Sequence, residues 1–350
     1  MKFVFVFPYN TWGGAFRSTY VLSNNLIKKD HEVTIVFPFF PIRNHLKIFS
    51  FDFIKYFTWG LLRSLIRYKN IPFKVNAKIK FVPFISNIFM PKADIIIANH
   101  WNTAIYVHRL SKICGDKFIY IRDVEQWSDY YKNEIKAFKL PLKKIATTNW
   151  IKKYLETNEN INIDYVVKNG TEWENFHVNN KLQKDKISIL MCYATHPMKN
   201  MKLGVSVLKK IKKKYPNIEI KLFGFPFKPK LDFDFTYFYR PTGKKLKTIY
   251  AESEIYFCPS LQEGYHNPPR EAMSAKCSIV ATNVGCILDL GRHYKNMLIT
   301  SPHDKISMIN YLEILINNQQ LRIKLGNRAN IDIRKNSWTK VTDDFLKIFK

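Results

Sequence analysis

The most informative segment of the chain is Glu263-Gly264-Tyr265-His266-Asn267-Pro268-Pro269-Arg270-Glu271-Ala272-Met273. An apolar run that ends at a proline, residues 255–260, precedes it and is typical of a buried strand. Proline is favoured in the first helical turn, where its missing N–H costs nothing, so a helix is predicted to begin at Pro268 or Pro269. A second apolar run, residues 278–282, follows. The pattern predicts a strand, a loop, a helix and a further strand: a βαβ unit.

Two carboxylates accompany this unit. Glu271 is predicted to lie in the first helical turn, near free backbone N–H groups and the positive end of the helix dipole, and Glu263 in the loop before it. Helix N-termini bind phosphate and carboxylates accept strong hydrogen bonds from hydroxyl groups. The pair therefore indicates a phosphorylated ligand that carries a polyol. Each carboxylate alone has a simpler interpretation, Glu271 as a complement to the dipole and Glu263 as a solvated loop residue.

The whole segment resembles the E-x7-E signature of retaining glycosyltransferases with the GT-B fold, specifically glycosyltransferase family 4. The residues that fit are Glu263, Gly264, Tyr265, Pro268, Glu271, Ala272, Met273, Ala281, Thr282 and Gly285. His266 replaces a usual small residue, and Lys276-Cys277 replaces a usual Cys-Gly pair. The resemblance implies an α/β protein with two facing Rossmann-like domains, a cleft between them and a C-terminal helix that crosses back. Its rhamnosyltransferase-like members are the most similar, through Arg122-Asp123-Val124-Glu125, where glutamine is usual in place of Arg122.

Length and composition agree with two globular domains. The chain has 350 residues, of which 46% are hydrophobic, enough for two cores. Its five cysteines are scattered without a Cys-x-x-Cys spacing, which favours a reducing cytoplasm over a disulfide framework or zinc site. The N-terminus is too short for a signal peptide, and no run of 18 uncharged apolar residues predicts a membrane span. We expect a cytoplasmic protein.

The net charge of +28 favours anionic partners: nucleic acid, anionic lipid or phosphorylated substrates. No nucleic-acid module is recognisable, so we favour an anionic membrane surface and an anionic substrate over nucleic acid. Residues 48–68 interleave aromatic and basic side chains, which predicts either an interfacial helix at the inner face of the membrane or a helix packed on its own sheet.

The first predicted domain, residues 1–165, opens with a strand, the glycine pair Gly13-Gly14 and a helix. The resemblance implies that these glycines lie near the donor phosphates and the acceptor, with Arg17 and Ser18 as further contacts. Polar residues also follow two later apolar strands: His100 after the first and Asp123 after the second. Either residue is a candidate to orient the acceptor hydroxyl or accept its proton; the alternative for each is a local hydrogen bond at a strand end.

The second predicted domain, residues 166–334, is the nucleotide-sugar side, and residues 335–350 form the returning helix. The resemblance implies that Glu271 binds the donor ribose, that Glu263 binds the sugar hydroxyls, and that Lys199 neutralises the leaving diphosphate. It also assigns backbone amides of the donor site to Gly264, Tyr265, His266 and Asn267. The family usually has an arginine as a second cation near the diphosphate, and that arginine is absent here. Thr195 or His196 occupies its position, and Lys202 is a candidate to supply the second charge. The triplet Asp232-Phe233-Asp234 is interpreted as a chance occurrence, with no metal required.

The resemblance therefore predicts transfer of a hexosyl or deoxyhexosyl unit from a nucleoside-diphosphate sugar to a hydroxyl of a glycan or lipid-linked glycan, in surface polysaccharide synthesis. No cofactor is predicted beyond the donor. Two alternatives remain open. One is a GT-B phosphorylase or epimerase; the other is a basic protein that binds membranes or nucleic acid on a degenerate scaffold.

Overall fold

The structure is a computed structural model that describes residues 1–9, 14–39, 42, 54, 55, 58, 61, 62, 75–179, 181 and 186–349. It contains two compact units. The first comprises Met1–Asn169 with Val341–Lys350, and the second comprises Gly170–Lys340. Gly13 and most of the predicted helix 48–68 lie outside the described residues.

The first unit is built on a parallel sheet of order β3-β2-β1-β4-β5-β6-β7. Its strands are β1 Lys2–Val6, β2 Glu32–Pro38, β3 Lys78–Val82, β4 Ile95–Ala98, β5 Asp116–Ile121, β6 Lys143–Ala146 and β7 Tyr165–Val166. The central strands β1 and β4 are almost wholly buried, because helices cover both faces of a parallel sheet. All seven carboxyl ends therefore share one edge, where α/β folds place their ligand sites.

Helices connect these strands, and those with given bounds among the described residues are α1 Gly14–Ile27, α2 Trp101–His108, α3 Tyr131–Phe138 and α4 Asn149–Asn158. Two of them begin at a side chain that accepts a backbone N–H. Thr148 caps α4 through Ile151 N, and His100 caps α2 through Asn102 N. Such caps satisfy N–H groups that the helix itself leaves without a partner.

The second unit repeats the architecture with a parallel sheet of order β10-β9-β8-β11-β12-β13. Its strands are β8 Ser188–Tyr193, β9 Glu219–Gly224, β10 Thr236–Tyr239, β11 Ile255–Cys258, β12 Ser278–Thr282 and β13 Leu298–Thr300. Its helices are α5 Trp173–Phe176, α6 Met201–Lys214, α7 Gly243–Ala251, α8 Pro268–Ser274, α9 Ile287–Leu290, α10 Lys305–Asn317 and α11 Gln319–Arg334. The predicted βαβ unit is present as β11, α8 and β12, and α8 begins at Pro268 as predicted.

The last helix, α12 Trp338–Leu346, contains the point at which the chain leaves the second unit. Within the first unit its residue Phe345 is fully buried. The Phe345 ring centroid lies 5.8 Å from that of Phe3, 6.4 Å from that of Phe5 and 6.4 Å from that of Tyr120. The C-terminal segment is therefore part of the first unit's core.

The sequence predicts an end of the first domain at residue 165, and the first unit of the structure ends at Asn169. Val166 still belongs to the first sheet, because it pairs with Ala146 as part of β7.

Candidate functional site

The second unit gathers the predicted donor-side residues at the carboxyl edge of its sheet. A short turn at Pro197–Lys199 follows β8, and the loop that carries Glu263 connects β11 to α8. Gly285 lies just beyond the end of β12. These three segments come together because β8, β11 and β12 are neighbours in one parallel sheet.

Glu263 is the most heavily bonded member of this group. Lys199 Nζ donates to both of its carboxylate oxygens, at 2.6 Å to Oε1 and 2.8 Å to Oε2, and Ser260 Oγ donates to Oε1 at 2.8 Å. Burial raises the pKa of the Glu263 carboxyl, but the electrostatic effects of His266 and Lys199 and the hydrogen bonds of Lys199 and Ser260 outweigh burial and lower that pKa. Glu263 is therefore an anion at neutral pH although only 9% of it is exposed.

The short turn Pro197–Lys199 positions Lys199, and the residues at both ends of this turn hold it in place. His196 Nδ1 accepts from Met198 N at 3.3 Å, and Asn200 adopts a left-handed conformation with φ 54° at the start of α6. Burial lowers the pKa of Lys199, but Glu263 outweighs it and raises that pKa. The sequence did not predict that the ammonium is already paired with Glu263. Thr195, His196 and Lys202, considered for the absent arginine, are exposed.

Glu271 lies in the first turn of α8, as predicted, and is buried. The hydroxyl of Tyr250 on α7 donates to Glu271 Oε2 at 3.0 Å. The neighbouring Arg270 donates to Gly170 O and to Asn267 Oδ1, each at 3.0 Å, and lies 4.5 Å above the Tyr265 ring. These bonds fix the loop from Gly264 to Asn267 against the helix start, and Tyr265 and His266 are themselves buried there.

His266 lies between two thiols. Its Nε2 is 3.7 Å from Cys258 Sγ and its Nδ1 is 3.8 Å from Cys286 Sγ. Burial lowers the pKa of His266 to about 4 and raises the pKa of Cys258 to about 11. The imidazole and the thiol are therefore both neutral at pH 7, and Glu263 and Lys199 form an ion pair beside them.

Two of these contacts were missed from the sequence. Ser260 lies three residues before Glu263, and this spacing does not by itself predict a hydrogen bond between them. Tyr250 lies on a different helix from Glu271, 21 residues earlier in the chain, and no local pattern connects the two.

The remaining predicted residues lie in the first unit, at the carboxyl edge of its own sheet. His100 Nδ1 accepts from Asn102 N at 3.4 Å, and burial lowers the His100 pKa to about 4. With Nδ1 used by this cap, the proton of the neutral ring is on Nε2, which suits orientation of a hydroxyl better than proton abstraction. Asp123 Oδ1 accepts from Val124 N at 2.8 Å. Gly14 is the exposed first residue of α1.

The Asp-x-Asp triplet of the sequence lies far from these sites in the chain, before the edge strand β10. Asp232 forms an ion pair with Lys209. Over the residues that the structure describes, no group of three or more His, Cys, Asp and Glu side chains is arranged to hold a metal ion.

The second unit is similar to a known family of sugar-transferring enzymes. Residues 172–332 match the family described as "Glycosyl transferases group 1", a range that includes Lys199, Glu263 and Glu271. A curated relative, an uncharacterized glycosyltransferase of Methanocaldococcus jannaschii, is 24% identical over 109 residues. That alignment spans 31% of this chain and 28% of the relative.

Solved structures match the whole chain. The sucrose-phosphate synthase of Thermosynechococcus elongatus superimposes with a TM-score of 0.74 at 12% identity, covering 99% of this chain and 98% of the other. Anabaena HepE in complex with UDP-glucose gives 0.72 at 13% identity, covering 100% and 99%. At this identity the likeness concerns the fold: the chain has the GT-B fold of two Rossmann-like α/β domains.

Proposed function

We propose that the protein is a retaining glycosyltransferase that moves a sugar from a nucleoside-diphosphate donor to a hydroxyl of a glycan or lipid-linked glycan. The observation that carries the proposal is the group formed by Lys199, Ser260 and Glu263 beside Glu271 in the first turn of α8. The group 1 family match over the same residues supports it.

In this proposal the donor binds along the carboxyl edge of the second sheet. Glu271 accepts hydrogen bonds from the ribose, and backbone amides between Gly264 and Asn267 hold the sugar and diphosphate. An ionised carboxylate offers about four acceptor positions. Lys199 and Ser260 use three of those on Glu263. Glu263 therefore has room for about one sugar hydroxyl without losing its present partners.

The proposed reaction breaks the bond between the anomeric carbon and the donor phosphate oxygen, and forms a bond from that carbon to the acceptor oxygen on the same face. The acceptor proton passes to the departing phosphate. No side-chain nucleophile is needed, which agrees with Glu263 being tied to Lys199. The Lys199 ammonium has one N–H beyond the two that bind Glu263, and in this proposal that N–H stabilises the charge that develops on the leaving diphosphate.

The first unit is the proposed acceptor side. There His100 Nε2–H and the Asp123 carboxylate are the groups that would orient the acceptor hydroxyl. Gly13 and Gly14 would let the acceptor and donor phosphates approach the backbone closely.

Membrane contact is the remaining part of the proposal. A net charge of +28 favours the anionic inner face of a membrane, where a cytoplasmic enzyme meets lipid-linked acceptors of surface polysaccharide synthesis. Every helix in the described part of the chain is too short or too polar to span a bilayer. The Arg122-Asp123-Val124-Glu125 segment favours transfer of a rhamnosyl or related deoxyhexosyl unit.

The test is calorimetric titration of the full chain with UDP-, GDP- and dTDP-sugars. UDP-glucose is the first choice, because HepE, of like fold, was solved with it. We expect saturable binding of one donor, and about tenfold weaker binding in Glu271→Gln, because one charge-assisted hydrogen bond is worth 1.5–3 kcal/mol or roughly tenfold and more. Glu174→Gln, an exposed glutamate of the same unit, is the matched control and should bind as wild type.

Two results would favour the alternatives. Donor turnover without any acceptor would indicate an epimerase, and sugar release that requires inorganic phosphate would indicate a phosphorylase. If no nucleotide sugar bound to the folded chain while DNA or anionic vesicles did, the protein would instead be a binding protein on a degenerate scaffold.

A further inference from the structure

Arg122 lies at the carboxyl end of β5, on the ligand-binding edge of the first sheet. Its guanidinium is held by three side chains from three different segments. Nη2 donates to Thr19 Oγ1 at 2.8 Å, Nη2 and Nε donate to Asn99 Oδ1 at 3.2 and 3.4 Å, and Nη1 donates to Asn169 Oδ1 at 3.2 Å. The group is fixed in one orientation.

All of these acceptors are neutral. In the part of the chain that the structure describes, no carboxylate forms an ion pair with Arg122, and the adjacent Asp123 bonds its own loop at Val124 N. The three acceptor residues are buried: Thr19, Asn99 and Asn169 are 0%, 3% and 5% exposed. Burial lowers the pKa of Arg122 to about 10, so the group remains a cation at neutral pH.

The cation also lies over an aromatic ring. Its central carbon lies 4.1 Å from the centroid of Tyr120, whose hydroxyl is anchored to Val167 O at 2.8 Å. The Tyr120 ring and the three acceptor side chains all contact the guanidinium. Of its five N–H groups, the second on Nη1 has no acceptor among the described residues.

We propose that Arg122 is the centre of an oxyanion site in the first unit, which binds a phosphate or carboxylate group of the acceptor. This rests on the proposed function and narrows it: the acceptor is an acidic molecule. A rigid, planar fork of N–H donors suits the oxygens of phosphate or carboxylate better than an ammonium does.

A purely structural role does not account for the charge. A partly buried charge without an opposite partner is costly, and every side chain that accepts a hydrogen bond from Arg122 is neutral. An incoming anion supplies the missing opposite charge and an acceptor for the remaining N–H. Binding of the anion therefore offsets the free-energy cost of the unpaired Arg122 charge.

The test is titration of the full chain with inorganic phosphate, and separately with acetate, at constant ionic strength. Saturating UDP is present, so that any donor diphosphate site is occupied. We expect saturable millimolar binding of at least one oxyanion.

Arg122→Gln should weaken this oxyanion binding about tenfold, since a charge-assisted bond is lost, and Arg122→Lys should weaken it less. Arg109→Gln, an exposed arginine of the same unit, should bind as wild type. The better probe identifies the oxyanion as phosphate or carboxylate.

Several outcomes would overturn the proposal. These are no saturable oxyanion binding to wild type, unchanged binding in Arg122→Gln, or, should that variant not fold, unchanged binding in Arg122→Lys. Oxyanion binding that is lost in Lys199→Ala but kept in the Arg122 variants would place the anion on the donor side and also overturn it. Failure of UDP to bind any variant would count against the proposed function alone, because the Arg122 and Lys199 variants still show which of the two sites holds the oxyanion.

Discussion

At the scale of single residues, Gly285 shows how closely the candidate donor site is packed. It adopts a φ of +55°, and a Cβ placed on it would lie 2.7 Å from Glu263 Cβ and 2.8 Å from His266 Nδ1. Both neighbours are buried, and Glu263 is held by Lys199 and Ser260. Two independent requirements therefore select glycine here, the left-handed backbone and the space taken by Glu263 and His266.

We predict that Gly285→Ala destabilises the protein and weakens nucleotide-sugar binding. Gly243 is a matched control, because it has a φ of +53° but no atom within 4 Å of the added Cβ. Gly243→Ala should cost only the backbone penalty, about 1–2 kcal/mol, with donor affinity unchanged. Gly285→Ala should cost at least about 1 kcal/mol more. Urea unfolding and donor titration measure both; equal effects from the two substitutions would show that the contact with Glu263 and His266 is unimportant.

The site was predictable only in part at this scale. Glu263, Glu271 and Lys199 stand in local patterns, next to a proline-initiated helix or in a loop after an apolar strand. The Lys199–Glu263 ion pair and the Tyr250–Glu271 hydrogen bond join distant segments. Only the strand order of the sheet brings those segments together, and strand order cannot be obtained from spacing in a single sequence.

At the scale of elements, the central strands were predicted and the edge strands were missed. The sequence contained no strand prediction at β3, β7, β10 or β13, and these four are the terminal strands of the two sheets. Edge strands have one neighbour and are less buried: β3 and β10 are mostly half-exposed or exposed. They therefore lack the continuous apolar run that reveals a central parallel strand. By contrast, β12 was predicted to the residue, and the start of α8 at Pro268 is one of the two predicted positions.

The C-terminal helix provides an element-scale prediction. Phe345 of α12 is fully buried against Phe3, Phe5 and Tyr120 within the first unit, so Phe345→Ala would leave a cavity. We expect a loss of about 3–5 kcal/mol in the free energy of unfolding. Phe227→Ala makes the same chemical change at a side chain that is 81% exposed, and should stay within about 0.5 kcal/mol.

Urea unfolding, followed by circular dichroism, gives both values. A Phe345→Ala protein as stable as wild type would mean that the C-terminal segment does not contribute to the first unit's core. Phe345→Leu, which retains most of the apolar volume, should fall between the two alanine variants.

At the scale of the whole molecule, the net charge and the fold bear on different parts of the proposed function. In the proposed function the Lys199–Glu263 site contributes to donor binding, and it involves few of the 56 lysine and arginine residues. The remaining cations would contribute to the proposed contact with an anionic surface. Electrostatic attraction to anionic lipid is worth about 1 kcal/mol for each cation near the surface. It is screened by salt, whereas burial of apolar side chains in the bilayer is not.

This difference in salt dependence leads to a prediction for the whole molecule. We expect the protein to sediment with phosphatidylglycerol vesicles at low ionic strength, and far less with phosphatidylcholine vesicles. Described residues of the segment 48–68 include Leu61 and Leu62, which are helical and 41% and 51% exposed. If this segment enters the interface, binding will persist in part at about 0.5 M salt, where the Debye length falls below about 5 Å.

The double substitution Leu61→Ser and Leu62→Ser should abolish that salt-resistant fraction and leave the low-salt fraction. Its matched control is Ile323→Ser with Ile331→Ser, which removes two side chains of similar exposure, 51% and 53%, from α11 of the second unit. Equal loss from both pairs would mean that the segment has no special role at the membrane. If double-stranded DNA displaced the protein from the vesicles at equal charge concentration, the positive charge would be acting without preference for lipid, and the membrane part of the proposed function would have to be withdrawn.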